Sequence, residues 1–152
     1  METDFLKISV SEISAAKKSL LPLYERELFE RQLYMSQILK FHGNITDTLK
    51  WLSRQEENHA NILHSLIGRA GIKVRDYVPA REFAKLAPAE KSRKSIASAV
   101  NFDIEQEKIS IQKYFEAVKS ETISKSLKSI LNQIMEEELV HVGKLIEYSE
   151  ND

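Results

Sequence analysis

Residues 49–67 read LKWLSRQEENHANILHSLI, and their phase decides the fold. At about 100° per residue, Ile45, Leu49, Leu52, Leu63, Leu66, Ile67 and Ala70 fall on one helical stripe. Glu56 and His59 lie in the middle of it. Residues three apart share a helix face, so both polar side chains turn toward the apolar side. The stretch around residues 137–141, EELVH, repeats the device. There Leu127, Ile130, Leu131, Ile134, Val142 and Leu145 form the stripe, and Glu138 and His141 occupy its centre.

Two further helices each bring one more carboxylate. Leu20, Leu21, Tyr24, Leu28, Tyr34, Met35 and Ile38 make a stripe with Glu27 about 45° from its centre. Val100, Ile104, Ile111, Phe115 and Val118 make another, with Glu107 about 30° away. Other acidic residues fall outside these faces. Glu25 and Glu30 point about 100° or more off the stripe, and Glu105 about 130°. Glu57, Glu136 and Glu137 are expected to face outward. His42 reads as a helix-end residue, His64 as a surface residue and Trp51 as packing.

Four glycines and three prolines leave few breaks, which favours long helices. The pattern predicts core helices at about 20–42, 46–70, 92–119 and 122–148, with a short helix at 11–18 before them. Gly43 and Gly71 mark helix stops. Residues 72–91 contain Pro79 and Pro88 and read as a long connection. The expectation is an all-α single domain over 1–152: a four-helix bundle with a long crossover between helices 2 and 3.

Composition narrows the function classes. The 152-residue chain carries 22 Lys+Arg against 23 Asp+Glu, a net charge of −1. This balance gives no electrostatic case for nucleic acid or an anionic membrane. No apolar run approaches the roughly 20 residues of a membrane span. The opening METDFLKISV lacks the basic and long apolar segments of a signal peptide, so a cytoplasmic location is expected. With no cysteine, disulfides, thiolate catalysis, Cys-ligated zinc and iron–sulfur centres are excluded.

A buried ionised carboxylate costs several kcal/mol unless something compensates it. Four such groups balance two divalent cations in charge, and two neutral imidazoles leave that balance unchanged. Carboxylate oxygens with imidazole suit iron or manganese, and zinc also fits. The two halves of the chain echo each other. Glu56 to Glu138 and His59 to His141 are each 82 residues apart, while Glu27 to Glu107 and Tyr34 to Tyr114 are each 80. Each half therefore runs Glu, Tyr seven later, then Glu-x-x-His.

This set, Glu27, Glu56, His59, Glu107, Glu138 and His141, resembles the ferritin-like di-iron carboxylate superfamily, in its rubrerythrin and bacterioferritin branch. The resemblance covers about residues 20–148. It implies two iron ions in a ferritin-like bundle, and oxidation of Fe(II) or reduction of hydrogen peroxide. Glu56 and Glu138 would bridge or flank the metals, His59 and His141 would each cap one, and Glu27 and Glu107 would be terminal ligands. Tyr34 and Tyr114 match tyrosines that hydrogen-bond ligand carboxylates in that family, and Arg31 fits its first-helix pattern. Fe(II), O₂ or hydrogen peroxide, and an external electron-donor protein are the implied partners, and a homodimer the implied assembly. An iron-binding or storage protein without turnover, or a di-iron oxygenase acting on an organic substrate, are the alternatives. One departure stands out. Three residues after the third-helix ligand, where rubrerythrins often carry an extra carboxylate, this chain has Ser110.

Overall fold

Helix boundaries follow local chemistry along the chain. A computed structural model describes residues 7–73 and 95–150. Among the described residues five helices form: α1 (Val10–Ala15), α2 (Lys17–Ile38), α3 (Asn44–Arg69), α4 (Ile96–Lys119) and α5 (Lys125–Glu150). Ser9 and Glu12 cap α1 reciprocally. Ser95 caps α4 through the Ser98 amide, and Ser124 accepts from the Leu127 amide at the head of α5. That cap starts α5 three residues later than expected.

α2 stops at Ile38, short of the expected residue 42. The amides of Lys40 and Phe41 both turn back onto the Gln37 carbonyl. Gly43, at φ 100°, then serves as the N-cap of α3, a conformation that side chains with a Cβ rarely adopt. Gly71, at φ 73°, ends α3 as the sequence suggested. Pro22 lies inside α2 without ending it. From residue 74 the long connection expected at 72–91 lies outside the described residues, as does the expected helix start at residue 92.

The result is all-α, and no strand occurs among the described residues. The antiparallel hairpins α2–α3 and α4–α5 make the most extensive pairings, and they join through α2 against α4 and α3 against α5. No described helix is long and apolar enough to cross a membrane.

Apolar packing divides into two main clusters along the bundle. One contains Leu20, Leu63, Leu66, Leu127, Ile130 and Ile134. The other contains Leu49, Leu52, Val100, Ile104 and Leu145. On α3, Glu56 and His59 fall between the two sets, and on α5 Glu138 and His141 do the same. A polar layer thus sits at mid-bundle with an apolar plug on each side.

The expected stripes of α3 and α5 are buried or half-buried throughout. Those of α2 and α4 need correction. Met35 and Phe115, counted as core, are 52% and 42% exposed. Buried positions on α2 include Leu23, Phe29, Leu33 and Gln37, so its covered arc is wide and centred away from Met35. α4 turns the same way, burying Asp103, Gln106, Ser110 and Tyr114.

Candidate metal centre

Each long helix delivers one carboxylate to the polar layer, and α3 and α5 each add an imidazole one turn later. Glu27, Glu56, His59, Glu107, Glu138 and His141 are all at most 1% exposed. They form two overlapping quartets: Glu27, Glu56, His59 and Glu138, and Glu56, Glu107, Glu138 and His141. Within each quartet the donor atoms lie within 4.8 Å of one another. Glu56 and Glu138 belong to both. All six residues singled out from the sequence are therefore brought together.

Both imidazoles present Nδ1 to the layer. His59 Nδ1 is 3.0 Å from Glu138 Oε1, 3.5 Å from Glu27 Oε2 and 4.0 Å from Glu56 Oε1. His141 Nδ1 is 2.7 Å from Glu56 Oε1, 3.3 Å from Glu138 Oε2 and 3.6 Å from Glu107 Oε1. The two rings stack with centroids 5.8 Å apart. Close as they are, many of these atoms lack hydrogen-bond geometry. Glu27 Oε2, both oxygens of Glu56, Glu107 Oε2, Glu138 Oε2 and His141 Nδ1 have no hydrogen-bond partner among the described residues. Buried polar atoms are rarely left so. Donors that crowd together without bonding one another converge on shared points, which is the geometry a pair of metal ions requires. Carboxylate oxygens with imidazole nitrogen fit iron well.

Surrounding groups hold the six side chains in place. Tyr114 donates its phenol proton to Glu27 at 2.5 Å, and Tyr34 donates to Glu107. Each tyrosine thus serves the carboxylate of the other hairpin. His59 Nε2 is 2.5 Å from Glu137 Oε2. Glu137, expected to face outward, is only 39% exposed and joins the site from its rim. The Trp51 ring packs edge-on against His141, centroids 5.3 Å apart, so it packs as expected and does so on one of the six converging side chains. Arg31 lies 3.7 Å from Glu57. Glu105 is exposed as expected, and so is His42. His64 is half-buried, with its ring against Tyr24 rather than at the surface.

A third group of residues was missed in the sequence. Glu30, expected to point away, is wholly buried, and Arg26 beside it is 3% exposed. Gln37 donates to the buried Asp103 at 2.6 Å. The Glu27-x-x-Glu30 spacing is the same one-face signal that identified Glu56 and His59, and it could have revealed Glu30.

Burial and crowding shift the acid–base behaviour of these groups. Burial and the neighbouring Glu138 charge push Glu56 and Glu107 well above the ordinary carboxyl range. Glu27 runs the other way: against the effect of burial, the His59 charge and hydrogen bonds hold it down at about 2. Burial opposes charge on His141, yet Glu107 and Glu138 raise it to about 10. His59 is raised likewise, chiefly by Glu27 and Glu137 against burial. Burial, then the nearby carboxylates, lift both phenols, so Tyr34 and Tyr114 stay proton donors at neutral pH.

Removing one phenol tests the crossed contacts. Tyr114→Phe is expected to weaken metal binding about 10- to 100-fold, the usual cost of losing a group that orients a ligand. Isothermal titration would read it. An unchanged affinity would mean that Glu27 needs no orienting partner.

The rubrerythrin family model matches residues 24–148, which takes in all six converging residues and both tyrosines. Searches of curated proteins and of solved structures found no match.

Proposed function

Because the chain belongs to the rubrerythrin family, a ferritin-like di-iron carboxylate family, we propose that it is a non-haem di-iron oxidoreductase that oxidises Fe(II) with hydrogen peroxide or dioxygen. The observation that carries this reading is the pair of quartets sharing Glu56 and Glu138. Glu27 and His59 would hold one ion, Glu107 and His141 the other, and Glu56 and Glu138 would span both. A bound iron pair supplies two electrons together, the number needed to take hydrogen peroxide to water.

The protein's own part is positioning and proton control. Glu138 and Glu56 bring donor atoms from facing helices to one midpoint. Tyr34 and Tyr114 hold Glu107 and Glu27 in fixed orientations. Glu137 accepts the Nε2 proton of His59 and so keeps Nδ1 turned inward as a donor to the layer. The apolar plugs above and below exclude bulk water. We assign re-reduction to an external electron-donor protein, since the chain has no cysteine for a second iron centre. Defence against oxidative stress in the cytoplasm, as a homodimer, is the setting we propose.

Anaerobic Fe(II) loading followed by rapid mixing tests the assignment. About two irons per chain are expected, as a two-metal site predicts, with a fast absorbance rise on mixing with one of the oxidants. The faster oxidant distinguishes peroxide reduction from oxidation by dioxygen. Tight binding with no oxidation by either would make the chain an iron carrier instead. No binding at all would sink the metal reading.

A further inference from the structure

The two halves of the polar layer are not equivalent. Under the 80-residue echo that relates Glu27 to Glu107, Glu30 corresponds to Ser110 and Arg26 to Gln106. One half thus carries a carboxylate and a guanidinium where the other carries a hydroxyl and an amide. In the fold these four side chains meet. Arg26 Nε donates to Ser110 Oγ at 3.0 Å, and Arg26 Nη2 donates to the Gln106 main-chain carbonyl at 2.8 Å and to its side-chain Oε1 at 3.3 Å. Arg26 Nη2 is also 3.3 Å from Glu30 Oε1, and Ser110 donates its hydroxyl to that same oxygen.

Glu30 Oε1 is therefore fully engaged. Glu30 Oε2 is buried with no hydrogen-bond partner among the described residues. It cannot be explained by the ion pair, because an arginine placed only to neutralise a buried carboxylate commonly engages both oxygens. Ser110, which holds the other oxygen, lies one turn after Glu107 on the same buried face of α4, so Glu30 stands on the Glu107 side of the layer. We propose that Glu30 is a fifth carboxylate ligand, reaching with Oε2 the metal position built by Glu107 and His141, and that it makes the two positions unequal. This rests on the dinuclear reading above.

Charge supports the assignment. Five carboxylates exceed two divalent cations by one negative charge, and Arg26 supplies the matching positive charge inside the same buried cluster. Arg26, Ser110 and Gln106 then act as positioning residues, fixing one oxygen so that the other faces the ion. The position near Glu27 and His59 has Ser110 in the equivalent place and is supported from its rim by Glu137.

Anaerobic titration with Co(II), whose visible absorption reports coordination, tests the proposal. The parent protein is expected to take up two ions in unequal steps. Glu30→Gln keeps the size of the side chain and is expected to weaken the tighter step by about tenfold or more, leave the weaker step in place, and alter the absorption of the first ion bound. Should that variant fail to fold, Glu30→Asp retains the charge opposite Arg26 while withdrawing the inner oxygen, and is expected to show the same selective loss. A folded variant with both steps unchanged, or with both weakened equally, would overturn the proposal while leaving the metal pair intact. A parent protein that binds fewer than two ions would overturn the dinuclear reading and this inference with it.

Discussion

A Glu56→Leu variant is expected to melt higher than the parent in the metal-free state and to lose the metal pair. Glu56 is wholly buried, and neither of its carboxylate oxygens has a hydrogen-bond partner among the described residues. Glu138, Glu27, Glu30 and Glu107 crowd it with like charge. In the metal-free protein His141 Nδ1 stands 2.7 Å from it without hydrogen-bond geometry, so no hydrogen bond offsets the cost of its burial. Leucine has similar volume and would join Leu52 and Leu63 on the same face of α3. Replacing buried ion pairs by apolar groups of similar size is neutral to stabilising by about 1–4 kcal/mol, and a carboxyl with no hydrogen bond and like charges around it stands toward the stabilising end. At about 2–4 °C per kcal/mol for a chain of this size, the melting temperature should rise by several degrees. Iron loading should show the opposite effect. Because Glu56 belongs to both quartets, its loss should reduce bound Fe(II) from about two per chain to one or none. Calorimetric melting with and without metal separates these effects. A lower melting temperature in the metal-free variant would mean that Glu56 supports the fold in its own right.

Metal loading of the parent is expected to raise its melting temperature, by an amount that grows with pH. Glu56 and Glu107 are raised well above the ordinary 4.5, Glu30 to about 8, and His141 from 6.5 to about 10. A group with a raised folded value contributes its stability fully below its unfolded value, and loses it as pH climbs through the folded one. Metal-free stability should therefore decline from about pH 5 upward, first through the carboxyls and then through His141. Glu27, lowered to about 2, works in the opposite sense, losing its contribution only as pH falls from 4.5 toward that value. Metal ions need these same protons to leave, so affinity strengthens as pH rises. At free metal about 1,000-fold above Kd, binding adds about 4 kcal/mol, or about 8–16 °C. Melting curves with and without Mn(II) at several pH values between 5.5 and 8 provide the measurement. A gap that stays constant would mean that no protons are displaced.

How much of this was legible in the sequence depended on how each helix is covered. α3 and α5 bury one arc each, so a single apolar axis located Glu56, His59, Glu138 and His141. α2 is covered over a much wider arc, and averaging its apolar residues pulled the axis toward Met35 and away from Glu30. Phe115, the counterpart of Met35 in the echo, misled the reading of α4 in the same direction. Glu137 sits on the edge of its stripe, where a wheel cannot tell rim from solvent. The Gln37–Asp103 and Arg26–Gln106 contacts join residues 66 and 80 positions apart. Nothing local in either partner announces the other. The all-α fold and the crossed helical hairpins needed only period and punctuation, which are local properties.

The crossed phenols carry a consequence for the order of assembly. Each hairpin is closed by near-neighbour contacts and can form early, as structure rich in local contacts does. Neither hairpin, however, is furnished with the tyrosine that sets its own glutamate: Glu27 waits for Tyr114, and Glu107 for Tyr34. High-affinity metal capture thus belongs to the docked pair and to no earlier species. Once captured, the ions would clasp the hairpins across the layer that hydrophobic packing leaves unsealed. They would become the last component installed and the first obstacle to coming apart, so iron supply would govern the protein's lifetime as well as its chemistry.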